Sequence, residues 1–258
     1  MIFIGNDSSG QRLLLKKLNE TSQRLIEAAQ GLARKMKGLK FGPPVTHVYN
    51  PLEYAWESHA RYLASYGGTR KKVVFLGMNP GPFGMVQTGV PFGEINAVQN
   101  WLKVEGPIGR PRREHPQRPV EGFACKRREI SGQRLWGLFA NRYPDARDFF
   151  VDHFVANFCP LAFLEAGGRN RTPDKLPASE LAALLLACNQ HLREVVEILQ
   201  PEWVVGVGAF AEKRARHVLH DRPLGIGRIL HPSPASPSAN RDWAISAAKH
   251  LQALGIWK

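Results

Sequence analysis

VVFLGMNPGPFGMVQTGVPFGE, residues 73–94, joins two unlike halves. Its first four residues, Val73-Val74-Phe75-Leu76, are a compact apolar run, the mark of a buried strand. The remainder holds five glycines, three prolines, one asparagine and two phenylalanines, and Glu94 is its only charge. A plain connection needs only a few turn residues. A loop this long, held stiff by proline yet open to close backbone approach at glycine, is built to hold something.

The strand also sets the reading of the rest. Three further apolar runs, at residues 149–158, 203–207 and 226–230, match the one at 73–78. Helical patterns lie between them, at 95–102, 131–142, 178–199, 209–220 and 238–254, with another at 52–66 before the first run. The clearest is 178–199, where Leu181, Leu184, Leu185, Cys188, Leu192, Val195, Val196 and Leu199 share one face. Strands alternating with helices imply a parallel sheet covered on both sides, an α/β sandwich. Residues 1–40 read as an amino-terminal helical extension, with Leu13, Leu14, Leu18, Leu25, Ile26 and Ala29 at helical spacing. No internal repeat or low-complexity linker interrupts the chain, so residues 1–258 are expected to form a single domain.

Thirty-five Lys and Arg against twenty-two Asp and Glu give a net charge of +13. Such a field favours a polyanion, most often nucleic acid, and an anionic membrane surface also responds to it. No apolar stretch approaches the ~18 residues that span a bilayer. MIFIGNDSSG, at the start, lacks the basic and apolar regions of a secretory signal. Cys125, Cys159 and Cys188 are odd in number and widely spaced, and read as reduced packing thiols of an intracellular protein. Residues 103–134 carry nine Lys or Arg against four Glu, a basic surface excursion with four prolines. It is either a solvated loop or a stripe that tracks a phosphate backbone.

Each strand ends in something unusual: Gly77-Met78-Asn79-Pro80-Gly81, Asn157-Phe158-Cys159-Pro160, Gly206-Val207-Gly208 and His231-Pro232-Ser233-Pro234. In parallel α/β sheets ligands sit at the carboxyl ends of the strands, so Asn79, Asn157 and His231 are expected to converge on one mouth. Other signals carry less. GVGAFA at 206–211 matches a permissive dinucleotide fingerprint but falls late and lacks the acidic residue that would hold ribose. The loop after residue 76 lacks the GK[ST] ending of a phosphate loop. His217 and His220 lack the carboxylate of a zinc helix, so no metal is expected.

Together, GMNPGPFGMVQTGVPFGE at 77–94, NFCPLAF at 157–163, GRNRTP at 168–173, VVGVG at 204–208 and HPSPASPSAN at 231–240 resemble the single-strand-selective monofunctional uracil-DNA glycosylases of the uracil-DNA glycosylase superfamily. The likeness runs in order from about residue 41 to the carboxyl terminus. It implies a three-layer α/β/α sandwich around a four-stranded parallel sheet and no cofactor. DNA, single- or double-stranded, is the implied partner of a monomer that excises uracil and 5-oxidised uracils such as 5-hydroxymethyluracil. By position, Asn79 resembles the residue that positions the attacking water, and His231 the one that stabilises charge on the departing base. Asn157 resembles the reader of the uracil edge and Phe92 the ring that stacks on it. Gly81 and Met85 fall where the pocket is shaped around ring position 5, and Met78 is grouped with these base-binding residues. Pro232, Ser233, Pro234, Ala235 and Ser236 occupy the wedge, with Arg241 nearby. The family usually carries arginine at the position of Ala235, so this chain is expected to act more weakly on duplex than on single strands. A non-catalytic nucleic-acid-binding module and a dinucleotide-dependent enzyme are the competing readings; Asn79 with His231 speaks against the first, the missing acidic residue against the second.

Overall fold

The computed structural model describes residues 19–235 and 240–258. The expectations that fall on residues 1–18, and on Ser236 of the wedge, lie outside these. The parallel sheet forms as expected. It contains β2 (Val73–Gly77), β3 (His153–Asn157), β6 (Trp203–Val207) and β7 (Gly225–Ile229), in the order β3-β2-β6-β7. All three pairings are parallel. Every residue of β2 is buried, because helices cover both faces of this central strand.

Helix Ala178–Leu199 buries Leu184, Cys188, Leu192, Val195, Val196 and Leu199 along the expected stripe. Helix Glu20–Met36 packs on it through Leu25, Ile26, Ala29, Leu32 and Met36, so this part of the amino-terminal stretch belongs to the core. Asn19 caps that helix by accepting the backbone N–H of Ser22. Helices Ile130–Arg142, Ala209–Val218 and Trp243–Ala253 lie close to their expected positions.

One expectation needs correction. Residues 149–152 are helical, in Ala146–Asp152, and only His153–Asn157 is strand. Phe149 and Phe150 are buried among Trp101, Trp136, Phe139 and Tyr66. Four to eight apolar residues in a row fit a buried helix as well as a strand, and aromatic packing decided here. The helix expected at 95–102 forms over residues 95–101 and closes in a π-turn, Ala97–Trp101. A second, antiparallel sheet accompanies the parallel one, built from β1 (Val45–Tyr49), β4 (Ala162–Glu165) and β5 (Asn170–Arg171). The basic excursion is pinned by buried Val104, His115, Val120 and Cys125, with Lys103, Arg110, Arg112, Arg113, Lys126, Arg127 and Arg128 exposed.

Candidate active site

The mouth of the sheet opens into a cavity of about 370 Å³. Met78, Asn79, Gly81, Met85, Phe92, Asn157, His231 and Ser233 all line it, although they come from three separate strand ends. Convergence is enforced by the sheet: β2 and β3 run in register to Gly77 and Asn157, and the pairing continues as Phe158 and Cys159 donate N–H groups to the carbonyls of Gly77 and Met78.

Asn79 donates Nδ2–H to the Leu161 carbonyl at 3.1 Å. That contact fixes which way the amide faces and leaves Oδ1 as an acceptor. Asn157 directs Nδ2 at Met85 Sδ, 3.2 Å away, while its Oδ1 is buried with no partner. A buried amide oxygen without a donor costs ~1–3 kcal/mol. Such an atom, in a cavity, is poised to accept from a ligand.

His231 follows β7, and its Nδ1 accepts the backbone N–H of Ser233 at 3.1 Å. An accepting Nδ1 carries no proton, so the neutral ring bears its hydrogen on Nε2. Burial pulls the His231 pKa below the usual histidine value, which favours that neutral form. The ring centroids of His231 and Phe92 lie 6.3 Å apart.

Phe92 adopts a left-handed backbone, φ 52°, rare for a bulky residue. Its carbonyl accepts Trp136 Nε1–H at 3.1 Å. A Cβ on Gly132 would strike that same carbonyl, so Gly132 lets helix Ile130–Arg142 close on the loop.

Loop rigidity rests on more than proline. Gln87, buried, donates to the carbonyls of Pro82 and Pro119 and accepts the N–H groups of Glu121 and Gly122. Thr88 Oγ1 donates to the Gly93 carbonyl, and the ring of His59 bonds the Gly89 carbonyl.

Several lining residues were not singled out from sequence. Asn170 donates to the Pro80 carbonyl at 3.3 Å and, like Asn157, holds a buried Oδ1 without a partner. Glu129 packs over Gly81 and Gly84, occupying the space a Cβ on either would need. Burial raises its pKa, against the N–H donors of Phe83 and Ser131. The tripeptide Gly168-Arg169-Asn170 offered a weak signal; Glu129 offered none, since a glutamate before a helix reads as surface.

The wedge residues divide. Ser233 lines the cavity; Pro232 is buried, while Pro234, Ala235 and Arg241 are exposed and do not line it. Arg134 braces this loop, donating to the Pro232 carbonyl and to Asn240 Oδ1, while Asn240 Nδ2 bonds the Pro234 carbonyl.

A model of the uracil-DNA glycosylase superfamily matches residues 64–252. A single-strand-selective monofunctional uracil-DNA glycosylase of Mus musculus is 46% identical over 91% of this chain and 85% of its own length. That of Bos taurus is 47% identical over 86% and 82%. The chain belongs to the single-strand-selective monofunctional branch of the uracil-DNA glycosylase superfamily. Its fold is also that of the crystal structure of wild-type SMUG2 from Pedobacter heparinus, with a TM-score of 0.61 at 16% identity, over 88% of this chain and 97% of that one. No lysine is among the residues that line the cavity at the sheet mouth.

Proposed function

We propose that this cavity receives uracil, or a uracil oxidised at its 5-substituent such as 5-hydroxymethyluracil, from single-stranded and, more weakly, double-stranded DNA, and that the enzyme hydrolyses its N-glycosidic bond. Family membership makes the chain a monofunctional uracil-DNA glycosylase; the residue roles and the substrate range are the proposal. The observation that carries it is the orphaned Oδ1 of Asn157, buried beside Phe92 in a cavity that also holds Asn79 and His231.

Asn157 Oδ1 accepts the uracil N3–H while Nδ2, relinquishing its weak sulfur contact, donates to O4. Cytosine presents the opposite pattern, so a fixed amide rejects it. Phe92 stacks on the base. As the C1′–N1 bond breaks, its electron pair passes to the base and gathers at O2. The Nε2–H of neutral His231 donates to that oxygen, worth ~3–4 kcal/mol by analogy with oxyanion-hole donors. Asn79 Oδ1 accepts one hydrogen of a water and turns its oxygen toward C1′. An amide is no strong base, but attack on a cation-like carbon comes late and depends on positioning. The water's hydroxyl adds to C1′ and its proton ends on the released base. With no lysine lining the cavity, the product is an intact strand with an abasic site.

Duplex DNA requires the base to be flipped out, at a cost of a few kcal/mol. Ala235, at the wedge, offers a methyl group to fill the vacated stack, which supports the weaker duplex activity. The test is incubation with uracil-containing single-stranded oligonucleotide and no added cofactor, followed by alkali. Scission at the uracil is expected, and its loss in Asn79→Ala. Absence of scission, or full activity of that variant, would overturn the reading.

A further inference from the structure

A cleft larger than the base pocket lies elsewhere on the described residues. It measures about 790 Å³, against about 370 Å³ for the pocket, and the two share no lining residue. Five cations line it, Arg34, Lys37, Arg110, Arg112 and Arg113, against one acid, Glu53. Lys37 reaches Glu53 only at 3.9 Å, and Arg110 pairs with Glu114. Arg34, Arg112 and Arg113 form no ion pair among the described residues. Folding gains nothing from gathering such charges, since they repel one another.

Two further features point to an anionic strand. Asn50 accepts the backbone N–H of Leu52 through Oδ1, which fixes the amide and leaves its Nδ2 donor buried without a partner. Tyr54 and Trp56, both half-buried, bring aromatic surface to the same wall. Cations, an orphaned donor and aromatic faces in one groove match what single-stranded nucleic acid requires: phosphate neutralisation plus sequence-tolerant stacking.

The cleft is also linked to the base pocket. Tyr54 Oη–H donates to the Val86 carbonyl at 2.8 Å, one residue beyond Met85 of the pocket, and the Tyr54 carbonyl holds the N–H of Gly109. From the cleft the basic excursion runs on to Arg118, whose Nε is buried and unpartnered and whose guanidinium lies 5.6 Å over the ring of Phe83. Arg127 covers the same ring at 4.3 Å, beside Pro82 of the pocket.

We infer that this cleft is a second DNA contact, gripping the sugar–phosphate backbone of single-stranded DNA that flanks the target base, with Arg118 and Arg127 marking the path between the two. The inference rests on the chain acting on DNA.

The test uses the full chain and the charge-reversal variant Arg34→Glu/Arg112→Glu/Arg113→Glu, all three exposed and outside the base pocket. On a long uracil-containing single strand, KM should rise about tenfold with kcat unchanged, and the salt dependence of binding should flatten by about two units of slope, near 0.7 for each lost phosphate contact. On a substrate truncated to the nucleotides around the uracil, variant and parent should coincide. Equal KM and equal salt slopes on the long strand would overturn the inference, as would a loss of affinity confined to RNA. If the parent released uracil from no substrate, the functional reading would fall, while binding of undamaged single-stranded DNA would still decide the cleft.

Discussion

Gly77 and Asn157 face each other across the last rung of the β2–β3 pairing, and a Cβ on Gly77 would collide with Oδ1 of Asn157 and with the ring of Phe92. One missing methyl group thus sets the seating of the Asn157 amide and of the Phe92 ring. Gly77→Ala should cost ~1–3 kcal/mol of stability through overpacking. Activity on uracil should fall much further than that modest loss explains. Thermal unfolding read beside kcat/KM checks this, and a folded variant with parental activity would refute it.

Asn157→Asp keeps the shape of the side chain but replaces the Nδ2 donor by a carboxylate oxygen. It should repel uracil O4 and lower kcat/KM on uracil by at least ~10²-fold. The ratio of uracil to cytosine excision from matched oligonucleotides is the measurement, and the ratio should fall.

His231→Ala should lower kcat by ~10²–10³-fold with little change in KM, because the lost donor acts on charge that develops only as the bond breaks. Protonating His231 sacrifices the Ser233 N–H contact. With its pKa below the ordinary value, the parental rate should be flat above about pH 6.5 and decline on the acid side. A decline that begins well above pH 6.5 would count against the neutral form.

Ala235→Arg should raise activity on duplex uracil relative to single-stranded uracil, since a long cationic side chain fills the vacated stack better than a methyl group. Rates on matched single- and double-stranded substrates give the ratio, and an unchanged ratio would discard the wedge explanation.

Two histidines outside the chemistry make stability acid-sensitive. Burial lowers the pKa of His59 to about 4 and that of His191 to about 4, the latter helped by the charge of its neighbour His59. A depressed pKa means that the unfolded chain binds protons first. Stability is therefore full above about pH 6.5 and is lost as pH falls toward 4, by about 2 kcal/mol for each group at pH 5. Urea unfolding at pH 7.5 and pH 5 should show the midpoint drop.

Much of this was legible in the chain. The apolar run at residues 73–76, its three counterparts and the helical stripe at 178–199 determined the parallel sheet, because periodicity and burial are local properties of sequence. Strand-end residues then located Asn79, Asn157 and His231, since side chains at the carboxyl ends of parallel strands share a mouth. Phe149 and Phe150 lie in a helix although their sequence fits a strand equally well, because an aromatic run is compatible with either element until its partners are set. Tertiary structure alone decided the rest. Which amide oxygens stay unpartnered, which tautomer His231 adopts, that Glu129 fills the space over Gly81 and Gly84, and that Arg34 joins Arg112 and Arg113 in one cleft all depend on contacts between residues far apart in the chain, and such contacts leave no period in a sequence.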